Sequence, residues 1–416
     1  MISDFPPRKA FGEAEQDAID EVVSHYRYRD EDPGYNGFFQ EQFEEDLANF
    51  FGKGEALAAN SGTNALYIAV CALGIPSKQE VIVSPVTDSG TIHAILAADL
   101  VPVVADAARD SYNTDLEQVR DCVTDLTAAV MLVHTGGEPV AETAAIAEMC
   151  KNAGIPLIED VSQAMGATID GRLVGSFGTI AAGSMMYRKN LQCGGSGGFV
   201  YSTDPDLMRQ VMAHRDRGKQ TWRTDVNQND PGTGLFPALN HNFNEWESAI
   251  ASASLKRLKN VNRDRLMFLY ALKEKMQEAE CMSYLHNFNI GYAPFYIPVW
   301  SPFKEKVGFA MALKLRGIPL LEHYGCLVAD WLHVEKQINW LPNHSTAKED
   351  PYRFSPAYSE GEVLWASRSP NARTTRDSTF NLFLNENYDN SHVHRIVKAI
   401  KDTEQQMEYR GVSRRK

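Results

Sequence analysis

Residues 155–167 read IPLIEDVSQAMGA, a short apolar run that stops at two acids, Glu159 and Asp160, before a polar turn. A run of this length, with Gly154 in front and turn-forming residues behind, suits a buried strand. The acid that ends such a strand is cut off from water, which raises its pKa unless a cation meets it. Capping of the following turn would use the same carboxylate with no chemistry attached. Two questions follow: which sheet holds the strand, and which cation its last residue faces.

Outward from this stretch, apolar runs alternate with helix-like segments. EALAAN (55–60) precedes TNALYIAVCALGI (63–75), in which Leu66, Ile68, Ala69, Ala72 and Leu73 recur at helical spacing. VIVS (81–84), TIHAILAADL (91–100), VPVVAD (101–106), LEQVRDCV (116–123), AAVMLVH (128–134) and AETAAIAEMCKNAG (141–154) continue the pattern. Repeated βα units imply an α/β fold with a mostly parallel sheet covered by helices on both faces. Beyond about residue 202 the rhythm changes. A helix DLMRQVMAHR, a polar loop over 218–243 and a long helical pattern from Asn244 to about Glu280 precede a strand within 291–300, a helix over 304–317 and a last helix over 390–407. We expect an N-terminal segment 1–40 whose packing the sequence leaves open, a large α/β domain over 41–255 and a smaller C-terminal α+β domain over 256–416.

The 416 residues, 44% of them hydrophobic, suffice for a core of this size. Lys+Arg 41 against Asp+Glu 54 gives a net charge of −13, which disfavours non-specific binding to nucleic acid or to an anionic membrane. The six cysteines are scattered with no CxxC pair, so neither a disulfide framework nor a metal site is expected, and a reducing cytoplasm fits. The first residues show no basic stretch followed by an apolar one, so no secretory signal is expected. The most apolar stretch, 92–107, is interrupted by His93, Asp99 and Asp106 and falls short of the roughly 20 residues of a membrane span. The basic tail over 410–416 is expected to fray in solvent.

In open α/β sheets ligands bind at the carboxyl ends of the strands, which singles out three further stretches. NSGTNA (60–65) is a strand-to-helix turn whose small residues and amides suit an anion, although Ser61 or Thr63 would equally serve as a helix cap. It is neither a P-loop nor a GxGxxG motif. GSMMYRKNLQCGGSGGFVYS (183–202) places Lys189 after a strand over 179–186 and before Gly194, Gly195, Gly197 and Gly198, which permit a tight hairpin into GFVYS. A lysine beside a hairpin is usually solvated. Lys189, however, follows Asp160 by 29 residues (189 − 160) on the next strand-like element of the same sheet. An amine and a carboxylate converging at strand ends are what pyridoxal phosphate needs: the amine forms a Schiff base with the aldehyde and the carboxylate keeps the ring nitrogen protonated. The third stretch, LNHNFNEWESAIASASLKRL (239–258), crowds polar residues at the start of a long helix, as an N-cap would.

In this order the pieces resemble the DegT/DnrJ/StrS family of keto-sugar and aminocyclitol aminotransferases, pyridoxal 5'-phosphate enzymes of fold type I, the aspartate aminotransferase fold. The resemblance runs from about residue 35 to 265 and faintly through the C-terminal helix. NSGTNALYIAVCALGI, EVIVSPVTDSGTIHAIL, HTGGEP with IPLIEDVSQAMGA, GRLVGSFGTIAAGSMMYRKN and LNHNFNEWESAIASASL are similar to the family's segments. It implies that Lys189 is the Schiff-base lysine and Asp160 the partner of the ring nitrogen. It further implies Gln163 at the ring hydroxyl, Ser184 and the Gly62, Thr63 and Asn64 turn at the phosphate, and Asn240 as a phosphate ligand given by the other subunit of a homodimer. The implied reaction moves an amino group from a small-molecule donor, glutamate or glutamine by family habit, to a keto sugar or keto cyclitol, in sugar biosynthesis or secondary metabolism. Relatives with histidine at the lysine position act as dehydratases, so the lysine favours transfer.

Departures from the family pattern are part of the reading. Asp88 stands where an aromatic side chain usually stacks on the cofactor; it would bring a second carboxylate to the ring, or cap a helix beginning near Ser89 while another residue covers the ring. HTGG (134–137), Asn242 and Arg188 are also unusual, and LLEHYGCLVADWLHVEKQINWLP (320–342) has little counterpart. These features loosen any tie to a nucleotide-linked sugar. Two other readings share the same residues: a pyridoxal phosphate enzyme doing something else at an amino acid's α- or β-carbon, and a cofactor-binding regulator without catalysis.

Overall fold

The computed structural model describes residues 5–8, 11–225, 227, 230, 236–331 and 369–415. Two helices, α1 (Glu13–Arg27) and α2 (Phe38–Phe51), precede the βα series. β1 (Glu55–Ala59) leads to α3 (Gly62–Ala72), β2 (Glu80–Val83) to α4 (Ser89–Ala97), β3 (Val101–Val104) to α5 (Leu116–Asp121) and β4 (Thr127–Val133) to α6 (Thr143–Ala153). β5 (Leu157–Asp160) is followed by a small hairpin of β6 (Thr168–Ile169) and β7 (Arg172–Leu173), then by β8 (Ile180–Ser184), β9 (Gly198–Ser202) and α7 (Pro205–Arg215). The seven-stranded sheet has the order β1-β9-β8-β5-β4-β2-β3, and β9 alone runs against its neighbours. Every residue of β2, β3, β5 and β9 is buried. Covered on both faces, these strands read as unbroken apolar runs rather than as an alternation.

On one face Leu66, Ile68, Ile92, Ile95 and Val211 pack on Val83, Met131 and Ile158. On the other, Val119 and Ile146 cover Ile82, Val130 and Leu132, while Phe43, Leu47 and Leu255 cover Phe199. Such burial stabilises by roughly 25 cal/mol per Å² of apolar area, and it fixes which strand ends share an edge. Val133 pairs with Asp160, and Asp160 with Ala182, across parallel neighbours.

The two acids that end β5 point to opposite faces, as successive strand residues must. Glu159 is fully buried and accepts hydrogen bonds from the amides of Gly175 (2.7 Å), Phe177 (2.7 Å) and Gly178 (2.6 Å), with His134 Nε2 at 3.2 Å. It staples the segment before β8 to the end of β5.

The long helix α8 (Glu245–Glu278) starts on an Asn244 cap that accepts from the Glu247 amide. Position 255 lies inside it: residues up to Leu258 join the core under α2, and those from Leu266 onward join a second core. That second core lies between α8 and a four-stranded antiparallel sheet of β10 (Tyr284–Leu285), β11 (Tyr296–Trp300), β12 (Leu320–Leu321) and β13 (Thr379–Phe383), in the order β10-β11-β13-β12. α9 (Lys306–Leu315) and the C-terminal helix Asn390–Tyr409 pack there as well. The N-terminal segment, which the sequence leaves unplaced, sits on α8: buried Glu245 accepts from the Phe39 and Gln40 amides and from the Tyr26 hydroxyl.

Two expectations are corrected. β8 and β9 are antiparallel neighbours, but residues 185–197 join them as a long loop and not as a tight hairpin; its ends stay paired, with Met185 N–H on Gly197 O (2.7 Å) and Tyr187 N–H on Gly195 O (3.0 Å). The basic tail does not fray over 413–415. Arg415 donates its amide to Pro302 O (2.8 Å), Nε to Phe303 O (3.0 Å) and Nη1 to Ser378 Oγ (2.6 Å), which ties the tail to the segment after β11. The sequence stretch 320–342 lies outside the described residues from 332 onward. Among the described residues no helix is long and apolar enough to cross a membrane, and no group of three or more His, Cys, Asp or Glu side chains could hold a metal ion.

Replacing Glu159 by alanine strands one buried and two partly buried amides and a buried imidazole nitrogen. At roughly 1.5–3 kcal/mol for a hydrogen bond to a charged group, Glu159→Ala should lower unfolding free energy by at least about 3 kcal/mol in urea titrations, and Glu159→Gln, which keeps one acceptor, by less. An unchanged midpoint in Glu159→Ala would contradict the staple.

Candidate functional site

A cavity of about 220 Å³ opens at the carboxyl edge of the large sheet. Gly62, Thr63, Asp88, Asp160, Gln163, Ser184 and Lys189 all line it. Asn64 and Asn240 do not. The Asn64 side chain donates to Asn60 Oδ1 (2.7 Å) and its amide to Ser61 Oγ (3.1 Å). Asn240 Oδ1 accepts from the Asn242 amide (3.0 Å) and side chain (2.9 Å), and its Nδ2 donates to Tyr35 Oη (3.2 Å).

Each lining residue is held by its element. Asp160 ends β5, with Oδ1 accepting from the Ser162 amide (3.0 Å) and Oδ2 from Thr91 Oγ1 (2.9 Å). Gln163 Oε1 accepts from the Gly136 amide (2.7 Å), which turns its nitrogen into the end available for donation. Ser184, the last residue of β8, accepts from the Met186 amide (3.2 Å) and keeps its own hydroxyl proton to give. Ser61 caps α3, so that Gly62 and Thr63 occupy the first helical turn, where amides have no intrahelical acceptor. Asp88 caps α4 through Oδ1 on the Gly90 amide (3.0 Å). Arg188, by contrast, lies over the exposed Tyr187 ring at 5.5 Å, outside the cavity lining.

Lys189 sits in a turn closed by its amide on Met186 O (2.8 Å). Its Nζ lies 4.9 Å from the centroid of the Phe295 ring. Burial lowers its pKa below the ordinary lysine value, and the Asp160 and Asp88 carboxylates work against that shift, in that order of size. The result is an amine nearer to neutrality than a solvated one, facing two carboxylates at the edge of one sheet.

Phe295, Thr91, Tyr324 and Cys326 are contributors that the sequence did not suggest. The glycines of HTGG explain Phe295: a Cβ on Gly137 would stand 2.0 Å from Ala293 O, so only glycine lets residues 293–295 run alongside. Ala293 and Phe295 donate their amides to Gly137 O and Gly136 O at 3.0 Å each. Cys326 O accepts from the Thr87 amide (3.0 Å), which brings the Tyr324–Cys326 turn over the site; burial raises the hydroxyl pKa of Tyr324, which contacts Gln163 and Tyr296. The one available signal was Thr91, a polar residue in the first turn of a helix whose remainder is mostly apolar.

A catalytic-type amine and acid at one strand edge narrow the choice, and the sequence profile of the DegT/DnrJ/EryC1/StrS aminotransferase family matches residues 13–350. The chain belongs to that family. Within the DegT/DnrJ/EryC1/StrS family it is similar to spore coat polysaccharide biosynthesis protein SpsC of Bacillus subtilis (strain 168), 26% identical over 368 residues that cover 87% of this chain and 88% of the relative. The dTDP-3-amino-3,4,6-trideoxy-alpha-D-glucose transaminase of Streptomyces venezuelae is 28% identical over 370 residues, 87% of this chain and 86% of the relative. The same fold recurs in an aminotransferase from Psychrobacter cryohalolentis (TM-score 0.80, 23% identity, 97% of this chain and 100% of that one). It recurs again in ntda from Bacillus subtilis with bound cofactor PMP (TM-score 0.79, 19% identity, 98% and 86%). These likenesses establish the type I α/β aminotransferase fold read from the sequence.

The electrostatics of Lys189 can be titrated. In cofactor-free protein, labelling of Lys189 by trinitrobenzenesulfonate, followed by peptide mass spectrometry, should reach half-maximum below the pH for a solvated lysine. Removing a carboxylate removes support for the ammonium, so Asp160→Asn should move the midpoint further down and Asp88→Asn should do so by less. An upward shift in either variant would contradict the geometry.

Proposed function

We propose that this chain is a pyridoxal 5'-phosphate-dependent aminotransferase that moves an amino group from an amino-acid donor, glutamate or glutamine, to a keto sugar or keto cyclitol. The observation that carries the proposal is the approach of Lys189 and Asp160 to one cavity whose lining also holds Gly62 and Thr63 from the first turn of α3. The residues fit the cofactor. Helix-start amides at Gly62 and Thr63 with the Ser184 hydroxyl suit a phosphate, Asp160 suits a protonated ring nitrogen, Gln163 has a donor to give to a ring hydroxyl, and Lys189 offers an amine of lowered basicity. Phe295 supplies the aromatic wall beside that amine, which frees Asp88 for its cap.

Bound there, the cofactor supplies an aldehyde to take up amino groups and an electron-withdrawing ring to stabilise the deprotonated carbon. The chain's own residues do the rest. Lys189 Nζ, whose ammonium form burial disfavours, would take a proton from the donor's α-carbon and return it to the carbon on the far side of the amino nitrogen; the reverse path would load the acceptor. Asp160, fixed by Thr91 and the Ser162 amide, would hold the ring nitrogen through its carboxylate. The keto-sugar class rests on the transaminase relative from Streptomyces venezuelae and on the polysaccharide-biosynthesis relative from Bacillus subtilis.

A homodimer completes the proposal. Asn240 lies outside its own chain's cavity beside the exposed Leu239 and close in sequence to the exposed Trp246, an arrangement suited to a neighbouring copy whose phosphate site receives it.

The test is chemical. Borohydride treatment of the protein with pyridoxal phosphate should leave the cofactor covalently on the Lys189 peptide, and Lys189→Ala should lower amino transfer by about 10³-fold or more. Glutamate or glutamine should be consumed with release of the matching keto acid, and a panel of keto sugars and cyclitols should then identify the acceptor. Cofactor fixed elsewhere would sink the proposal, and bound cofactor indifferent to every amino donor would favour the regulator reading.

A further inference from the structure

Arg265 is only 1% exposed and is the bulkiest of the fully buried side chains among the described residues. A guanidinium has five donors and no acceptor, so burying one is costly unless partners surround it. Its partners form a closed ring outside the cavity. Arg265 Nη2 and Nε donate to Glu386 Oε2 at 2.8 and 3.2 Å, and Nη1 donates to Asn190 Oδ1 (2.6 Å) and Pro294 O (3.1 Å). Glu386 Oε1 accepts from Arg8 Nε (3.2 Å), and Arg8 Nη2 reaches the main-chain carbonyl of Asn190 (3.3 Å). The Asn190 side-chain nitrogen donates to Asn262 Oδ1 (2.9 Å) and to the carbonyls of Ala293 and Pro294 (3.3 Å each).

The ring touches the site at two adjacent residues. Asn190 directly follows Lys189, and Pro294 directly precedes Phe295, whose ring faces the Lys189 amine. Arg265 and Asn262 belong to α8, while Arg8 comes from the N-terminal segment and Glu386 from the stretch after β13. Residues 5–8 are gripped by the segment after β13: Asn385 Nδ2 donates to Pro6 O (2.8 Å), Asn387 Nδ2 to Pro7 O (2.9 Å), and Phe5 packs edge-on against Tyr388 at 5.2 Å.

We propose that the Arg8–Glu386–Arg265–Asn190 ring positions Lys189 and the Phe295 wall for amino transfer, which makes Arg8, far from the cavity in sequence, a positioning residue for the reaction. The inference rests on Lys189 being the reacting amine. Burial pushes the Glu386 carboxyl up, but Arg265 and Arg8 together hold it below the ordinary glutamate value, so the acid stays charged at neutral pH. Burial brings Arg8 down to about 10, which leaves it cationic there too. The second positive charge is met by the oxygens of Asn190 and Pro294, the very atoms that fix the site.

Arg8→Met and Arg8→Lys in the full-length protein test this, with the Lys189 labelling midpoint in cofactor-free protein as the first readout. A loosened turn admits water to Lys189, so Arg8→Met should raise the midpoint toward that of a solvated lysine and lower kcat about tenfold at unchanged KM, while Arg8→Lys restores both. A variant that melts earlier yet keeps the wild-type midpoint and kcat would show a structural role only and overturn the proposal. Labelling needs no transfer to any acceptor, so its outcome is separate from that of borohydride trapping.

Discussion

The parallel pairing of β5 with β8 is the constraint on which the site depends. Asp160 and Ala182 are partners in that ladder, so the acid and the chain leaving β8 must emerge at the same edge. The loop after β8 then carries Lys189 over the end of β5, and antiparallel β9 brings the chain back beside the start of α3. A Cβ at Gly198 would lie 2.3 Å from Ser61 O, so glycine is what allows β9 to begin there. Gly198 thus serves a close approach of backbone to backbone, whereas Gly194, Gly195 and Gly197 leave room for the side chains of Phe11, Glu247 and Phe243.

Electrostatics and packing act together at the amine. Desolvation disfavours the ammonium and two carboxylates favour it, and the balance falls on the side of desolvation. Asp88 has a structural duty at the head of α4, which accounts for a carboxylate beside a carboxylate. Glu159 has no share in this chemistry. It is the acid that makes the neighbouring loop possible, and its place one residue before Asp160 puts it on the other face of the sheet.

The large sheet was legible because parallel strands buried on both faces leave continuous apolar runs, separated by amphipathic helices. Lys189 and Asp160 stood out because they follow or end such runs, and Gly62 and Thr63 because they open a helix after one; Gln163 and Ser184 came from the family resemblance, and all six line one cavity. What the sequence hid depends on distant contacts. Arg265 meets Asn190 across 75 residues and Glu386 across 121, and no local pattern marks either pair. Phe295 reaches the site through glycines at 136 and 137, which read only as unusual until residues 293–295 beside them were in view. The loop after β8 was mistaken for a tight hairpin because four glycines signal turning without fixing its length. The tail looked like a solvated charge run because its carbonyl partners at Pro302 and Phe303 lie more than a hundred residues away.

The pairing of Asp160 with a bound ring nitrogen can be measured directly by nitrogen-15 NMR of protein reconstituted with ring-labelled pyridoxal phosphate. The wild-type protein should show a protonated ring nitrogen at neutral pH, and Asp160→Asn an unprotonated one. The same protonation state in both proteins would contradict the role assigned to the end of β5.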